Sequence, residues 1–376
     1  METDFNPFLV SGYKGPDYFC DRTNETKITK RHIGNGINTT LFAIRRLGKT
    51  GLIHHIFESY ANNNKIACIY VDILGTKNLR EFTNQLGTAI YNHFPQQKSV
   101  GKKLVEAIKL LRPTISFDAL TGSPELNFEL GETRKYETTI QQLFSFLDQQ
   151  KIKIVFAIDE FQQILEYPEK NTEAILRTYI QGLKNTQFIF CGSNQRMMHE
   201  LFNSAKRPFF ASCTSVYLDF IDGKEYSQFI YALFNQHKRK ISNDALEFIL
   251  DWTCRHTLYT QRLCNFIYSL NVKKIDLNTV QLAANEILNQ NESVFYQYRN
   301  LLTDGQWNLL GSIAKEGKLF NAHAKNFIST YKLGTSSMIT RGIDSLLAKE
   351  MIYYNSAVQK PYYEVYDKFL MRWLQR

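Results

Sequence analysis

The pattern of apolar and polar positions divides the chain into three stretches of different rhythm. Over residues 1–220, short apolar runs alternate with segments of helical spacing. Runs at 38–44 (NTTLFAI), 65–72 (KIACIYVD), 152–158 and 187–192 predict strands. Near-continuous apolar character suits strands buried on both faces. Helical spacing covers 49–61, 78–95, 137–150 and 171–183. This βαβα order predicts a parallel sheet with helices on both faces. Residues 113–131 break the rhythm: Ile115, Phe117, Leu126, Phe128 and Leu130 alternate among Pro113, Gly122, Pro124 and Gly131. They predict a β-hairpin turning near Thr121-Gly122-Ser123, a candidate partner surface.

After Phe220 the strand signal disappears. Helical patterns at 223–236, 242–252, 260–270 and 276–295 predict a small helical domain. Helical patterns then cover about 304–316, 322–331 and 335–348, followed by aromatic strand-like runs at Met351 to Asn355 and Tyr362 to Tyr366. Three helices and a hairpin in that order predict a winged helix-turn-helix. The expected domains are therefore an α/β core at 1–220, a helical lid at 221–298 and a winged helix at 299–376.

Composition narrows the class. With 44% hydrophobic residues the chain can build a core, which excludes wholesale disorder. The six cysteines form no C-x-x-C pair and lack zinc-finger histidines, so reduced thiols and a cytoplasmic location are expected. The N-terminus has no apolar signal region, and no run approaches the ~20 residues of a membrane span. The net charge is +9, and residues 301–376 carry ten Lys/Arg against six Asp/Glu. That places nearly half the surplus in the winged helix, where a polyanionic partner fits.

The strongest motif is Ala43-Ile44-Arg45-Arg46-Leu47-Gly48-Lys49-Thr50-Gly51, between a strand and a helix. Strand–loop–helix is the context of a phosphate-binding loop, whose N–H groups point at a polyphosphate from a helix N-terminus. Lys49 is expected on the β- and γ-phosphates and Thr50 on Mg²⁺. Gly48 permits close backbone approach, and Arg45, Arg46, Leu47 and Gly51 complete the expected nucleotide contacts. The pattern's first glycine is replaced by Ala43. Downstream, Lys153 to Ile158 is an apolar strand ending in Asp159-Glu160. Asp159 is placed to hold Mg²⁺ through water, and Glu160 to orient and polarise the attacking water. A further strand ends in Gly192-Ser193-Asn194. Asn194, or Ser193, is expected to hydrogen-bond the γ-phosphate or the water, and the alternative for Asn194 is a turn-forming residue.

Together these residues resemble the archaeal/bacterial AAA+-like ATPase family, in the STAND-related branch of P-loop NTPases. The resemblance rests on Arg45 to Thr50, on Ile158-Asp159-Glu160-Phe161, and on Gly192-Ser193-Asn194. It rests also on Tyr18-Phe19-Cys20-Asp21-Arg22-Thr23-Asn24-Glu25, similar to the family's F-x-x-R-x-x-E box. The lid and winged helix match the family's layout, so the resemblance covers most of the chain. It implies that Arg22 lies beside the adenine. It also implies that Arg207 acts on the γ-phosphate in cis or from a neighbouring subunit, a surface arginine being the alternative. The family's G-x-P-like lid turn is missing from Arg255 to Arg262, leaving Gln261 or Arg262 as a lid sensor.

In the predicted recognition helix, Met338, Ile339, Ile343, Leu346 and Leu347 are expected inward. Ser336, Ser337, Thr340 and Arg341 are expected outward, with Lys360 in the wing, where hydroxyls and cations suit duplex DNA. A protein-docking winged helix is the alternative. The tyrosines at 353, 354, 362 and 363 are expected to pack in the wing and core. The expectation is thus a cytoplasmic Mg-ATP-dependent ATPase, with ATP/ADP between core and lid and nucleotide state coupled to the winged helix. A homo-oligomer or protein partner stays open, as does a regulatory module that holds nucleotide without hydrolysing it.

Overall fold

In the computed structural model, residues 5–94, 114–117, 124–127, 133–356 and 358–376 are described. They form two compact units, Tyr13–Asp219 and a second comprising Phe220–Arg376 together with the segment up to Gly12. The first residues of the chain, expected with the core, thus group with the second unit.

The unit Tyr13–Asp219 is built on five parallel strands, β1 (Thr39–Ala43), β2 (Ile66–Asp72), β5 (Lys153–Asp159), β6 (Thr186–Cys191) and β7 (Thr214–Leu218). Their order is β2-β5-β6-β1-β7. Every residue of β1 and β6 is buried, as apolar runs in central strands require. The helices are α1 (Thr23–Gly34), α2 (Lys49–Glu58), α3 (Leu79–His93), α4 (Thr133–Asp148), α5 (Thr172–Gln181) and α6 (Gln195–Asn203). Beneath the sheet, Phe161 packs on Phe190 with ring centroids 4.5 Å apart, and on Phe202 and Phe209. Each such fully buried ring contributes about 1.5–3 kcal/mol. The hairpin forms from β3 (Thr114–Phe117) and β4 (Pro124–Asn127), antiparallel with Ser116 opposite Glu125. Its expected turn lies outside the described residues.

The second unit begins with α7 (Gly223–Gln236), α8 (Asn243–Trp252), α9 (Thr257–Ser269) and α10 (Leu277–Asn300). Phe8 is fully buried against Phe234, and the segment is held by Asn6 Nδ2 donating to the Asn265 carbonyl and Asn265 Nδ2 donating to the Phe8 carbonyl. The winged helix follows as α11 (Asp304–Glu316), α12 (Lys325–Tyr331), α13 (Ser336–Ala348) and the antiparallel strands β8 (Ile352–Asn355) and β9 (Tyr362–Val365). A reciprocal Thr303–Gln306 capping box starts α11. A Cβ on Gly342 would lie 2.7 Å from Leu309 Cδ2, so glycine lets α13 approach α11 closely. The last helix, α14 (Lys368–Leu374), sets Phe369 against Trp252 and Tyr259. The P-loop-type parallel core and C-terminal winged helix expected from the sequence are the observed fold.

Candidate functional site

The phosphate loop leaves β1 at Ala43 and enters α2 at Lys49. Left-handed backbone occurs at Arg46 (φ 64°) and Gly48 (φ 96°), not at Ala43. The alanine at the first pattern position therefore carries no conformational penalty. A Cβ on Gly48 would meet no protein atom within 4 Å, so its φ and the open space above it are what the position needs. Arg45, Arg46 and Thr50 are exposed, Gly48 and Gly51 half-buried, and Leu47 buried. Lys49 is buried, with Nζ 3.5 Å from the Ala43 carbonyl. Burial pushes its ammonium pKa down, and Asp159 and Glu160 act against that shift. An anion in the loop would act against that shift in the same way, as a counter-charge to the ammonium.

The sheet brings Asp159 to the loop from 109 residues away: Thr50 Oγ1 donates to Asp159 Oδ2 at 2.7 Å. The same oxygen accepts from the Tyr70 hydroxyl at 2.9 Å. Oδ1 accepts from Cys191 Sγ at 2.8 Å and from the Glu160 N–H at 2.9 Å. Burial and Asp159 push both the Tyr70 phenol and the Cys191 thiol upward, keeping them protonated donors. Neither residue stands in a recognisable motif. Tyr70 was visible only as a polar-tipped ring near the end of β2, two positions from Asp72, which is paired with Asp159.

Glu160 follows in left-handed backbone (φ 56°). Its Oε2 accepts from Ser193 N at 3.1 Å, Ser193 Oγ at 2.8 Å and Gln162 Nε2 at 2.6 Å. Gln162 is buried, and a Cβ on Gly192 would fall 1.9 Å from its Oε1. Gly192 is therefore the space that Gln162 occupies. Ser193 contacts the catalytic candidate directly. The Asn194 side chain caps α6 by accepting from Met197 N at 3.1 Å.

Three further expectations meet different surroundings. Arg22 is buried and donates to Glu25, to the Asp219 carbonyl and to the Leu47 carbonyl. Arg207 pairs with Glu200 at 2.9 Å and Glu173 at 3.5 Å. In the second unit Gln261 is buried, and Arg262 lies over the Phe369 ring at 5.1 Å.

On α13, Ser336, Ser337, Thr340 and Arg341 are exposed, as is Lys360 between the wing strands. Ser336 Oγ lies 2.7 Å from His323 Nδ1. Ile339, Gly342, Ile343 and Leu346 form the buried stripe. Met338, expected inward, is 52% exposed because it falls one residue off that 3–4 spacing. Tyr353 and Tyr362 are buried, whereas Tyr354 and Tyr363 pair on the other face with centroids 4.7 Å apart.

Among the described residues no helix is long and apolar enough to cross a membrane. Comparison with known families matches residues 19–254 to the ATPase domain found predominantly in Archaea. The chain belongs to this archaeal-type ATPase family. A winged helix domain family matches residues 293–376. No curated protein sequence matches the chain. Among solved structures, the Walker-type ATPase PABY2304 of Pyrococcus abyssi is similar at TM-score 0.66 and 14% identity, over 98% of this chain and 100% of that one. The Aeropyrum pernix ORC2 protein, in ADPNP–ADP complexes, gives 0.60 at 12% identity over 99% and 96%. The Aeropyrum pernix ORC1 protein in complex with DNA gives 0.50 at 13% over 96% and 93%. At these identities the likeness is one of fold.

Proposed function

We propose that this member of the family is a Mg-dependent ATPase whose nucleotide state is coupled to a DNA-contacting winged helix. The observation that carries the reading is the convergence of Lys49, Thr50, Asp159 and Glu160 at one end of the parallel sheet. The donors offered to a metal are oxygens only, the Thr50 hydroxyl and the Asp159 carboxylate, a set that suits a hard cation keeping several waters. Magnesium held there would neutralise charge on the β- and γ-phosphates.

The chain's own groups do the rest. Loop N–H groups and the N-terminus of α2 bind the phosphates, and Lys49 balances charge developing on the γ-phosphate. Glu160 takes the hydrogen bond of the attacking water and aims its lone pair at phosphorus. Ser193 and Gln162 fix one carboxylate oxygen of Glu160, which leaves the other to face the water. The DNA reading is supported by the exposed Ser336, Ser337, Thr340, Arg341 and Lys360, and by the DNA complex of the similarly folded ORC1 protein.

The test is steady-state phosphate release by wild type and Glu160→Gln, with and without duplex DNA. Wild-type release well above the variant's is expected. Equal release by both proteins would instead assign a regulatory module that holds nucleotide and signals through protein contacts.

A further inference from the structure

The resemblance places Arg22 beside the base, but its surroundings point elsewhere. The side chain is 4% exposed, and its guanidinium is held by three protein acceptors. Nη1 donates to Glu25 Oε1 at 2.9 Å and to the Asp219 carbonyl at 2.6 Å, and Nη2 donates to the Leu47 carbonyl at 3.3 Å. Two of these acceptors are strategic. Leu47 C=O belongs to the peptide whose N–H is that of Gly48, in the phosphate loop. In a trans peptide C=O and N–H point in opposite directions. A guanidinium gripping the Leu47 oxygen therefore turns the Gly48 N–H toward the open side of the loop, where a phosphate would sit. Asp219 is the last residue of the first compact unit, and Phe220 begins the second. On the far side of that junction, Arg255 of the second unit donates to the Ile221 carbonyl at 3.4 Å. The connecting backbone is thus held by one arginine from each unit, two residues apart.

The backbone around Arg22 is set for this role. Asp21 (φ 54°) and Arg22 (φ 63°) are consecutive non-glycine residues in the left-handed region, a conformation that persists only where surrounding contacts enforce it. The planar guanidinium fork reaches three acceptors at once, which an ammonium on a lysine cannot do in the same plane.

We propose that Arg22 is a positioning residue that orients the phosphate loop and transmits its occupancy to the junction at Asp219. This rests on the nucleotide reading above. Phosphate bound to the Gly48 N–H polarises the Leu47–Gly48 peptide and strengthens the Leu47 C=O···Arg22 bond. The fork then shifts, and the Asp219 carbonyl that shares it responds.

The sequence supplies a reporter. The three tryptophans, Trp252, Trp307 and Trp373, lie in Phe220–Arg376, so tryptophan emission reads the second unit while nucleotide binds the first. The experiment titrates the full chain with a non-hydrolysable ATP analogue plus Mg²⁺, measuring affinity by calorimetry and emission at saturation. Wild type is expected to bind and to shift its emission. Arg22→Lys is expected to bind about tenfold more weakly, the worth of one charge-assisted hydrogen bond, and to lose most of the emission shift even when saturated. Glu25→Gln, which frees the fork on one side only, should lose part of the shift while keeping wild-type circular dichroism. It decides the matter if Arg22→Lys fails to fold. A full shift in both variants at saturation, or binding by wild type without any shift, overturns the coupling. Affinity reduced a hundredfold or more by Arg22→Lys makes Arg22 a nucleotide ligand and also overturns it. No binding by wild type removes the nucleotide reading itself.

Discussion

Replacing Gly192 with alanine tests whether Gln162 aims Glu160. The new Cβ would lie 1.9 Å from Gln162 Oε1, 3.0 Å from Gln162 Cδ and 2.8 Å from Met198 Sδ. No side chain tolerates the first of these distances, so Gln162 must leave its position and give up the 2.6 Å bond to Glu160 Oε2. A hydrogen bond to a charged group is worth about 1.5–3 kcal/mol. If that orientation energy is expressed in the transition state, kcat falls about ten- to hundredfold. Nucleotide affinity should stay within about twofold, because Lys49 and the loop are untouched. Phosphate release gives kcat, calorimetry gives affinity, and a thermal melt separates any loss due to crowding at Met198, about 1–3 kcal/mol. In a Gln162→Ala background the obstacle is gone, so the further effect of Gly192→Ala on kcat should shrink. Wild-type kcat in Gly192→Ala, or full additivity of the two substitutions, would refute the reasoning.

Other outcomes follow from the same structure. Lys49→Ala should abolish nucleotide binding in calorimetry, since the loop's buried cation is lost. Phe161→Ala should lower stability by about 3–5 kcal/mol in urea titration, because its fully buried ring closes on three other phenylalanines. Burial raises the pKa of Glu173 above 4.5, with Arg207 working against the shift. A raised carboxyl pKa stabilises the fold below the unfolded value and loses that contribution as pH rises through the folded one. Glu173→Gln should therefore flatten the fall in stability measured as pH rises from about 4.5 through that raised value. For duplex DNA, Arg341→Ala should weaken binding at low salt and reduce the slope of log affinity against log salt by about one.

The fold was legible wherever burial on both faces forced a continuous apolar run, as in Lys153–Asp159 and Thr186–Cys191. It was not legible at the sheet edge. Thr214–Leu218 buries only Val216 and Leu218, so its Thr-Ser-Val-Tyr-Leu sequence shows no strong run. Thr23–Gly34 was also hidden, since only Thr29, His32 and Ile33 are buried and no apolar stripe marks it. Within the site, Lys49, Thr50, Asp159 and Glu160 were readable because phosphate chemistry demands those residue types next to a strand end. Tyr70 and Cys191 were not, because their contacts arise from register: each reaches Asp159 from a neighbouring strand. Gln162 lies only two residues from Glu160, but its inward turn depends on the space left by Gly192. The partners of Arg22 and Asn194 likewise depend on the folded backbone, which sets the acceptor or donor that each one meets.

The thiol of Cys191 has a use of its own. It is fully buried at the centre of the sheet, donates to Asp159, and is held neutral by a pKa pushed well above 9.0. An alkylating reagent can reach it only while the strand ends transiently separate, and a neutral thiol reacts slowly even then. Its modification rate is therefore the open population multiplied by the intrinsic rate of the exposed thiol. A ligand that binds only the closed form should slow that rate by the factor 1 + [L]/Kd. One buried sulfur atom, followed by mass spectrometry, thus measures both the open population at this end of the sheet and how firmly a bound phosphate keeps it shut.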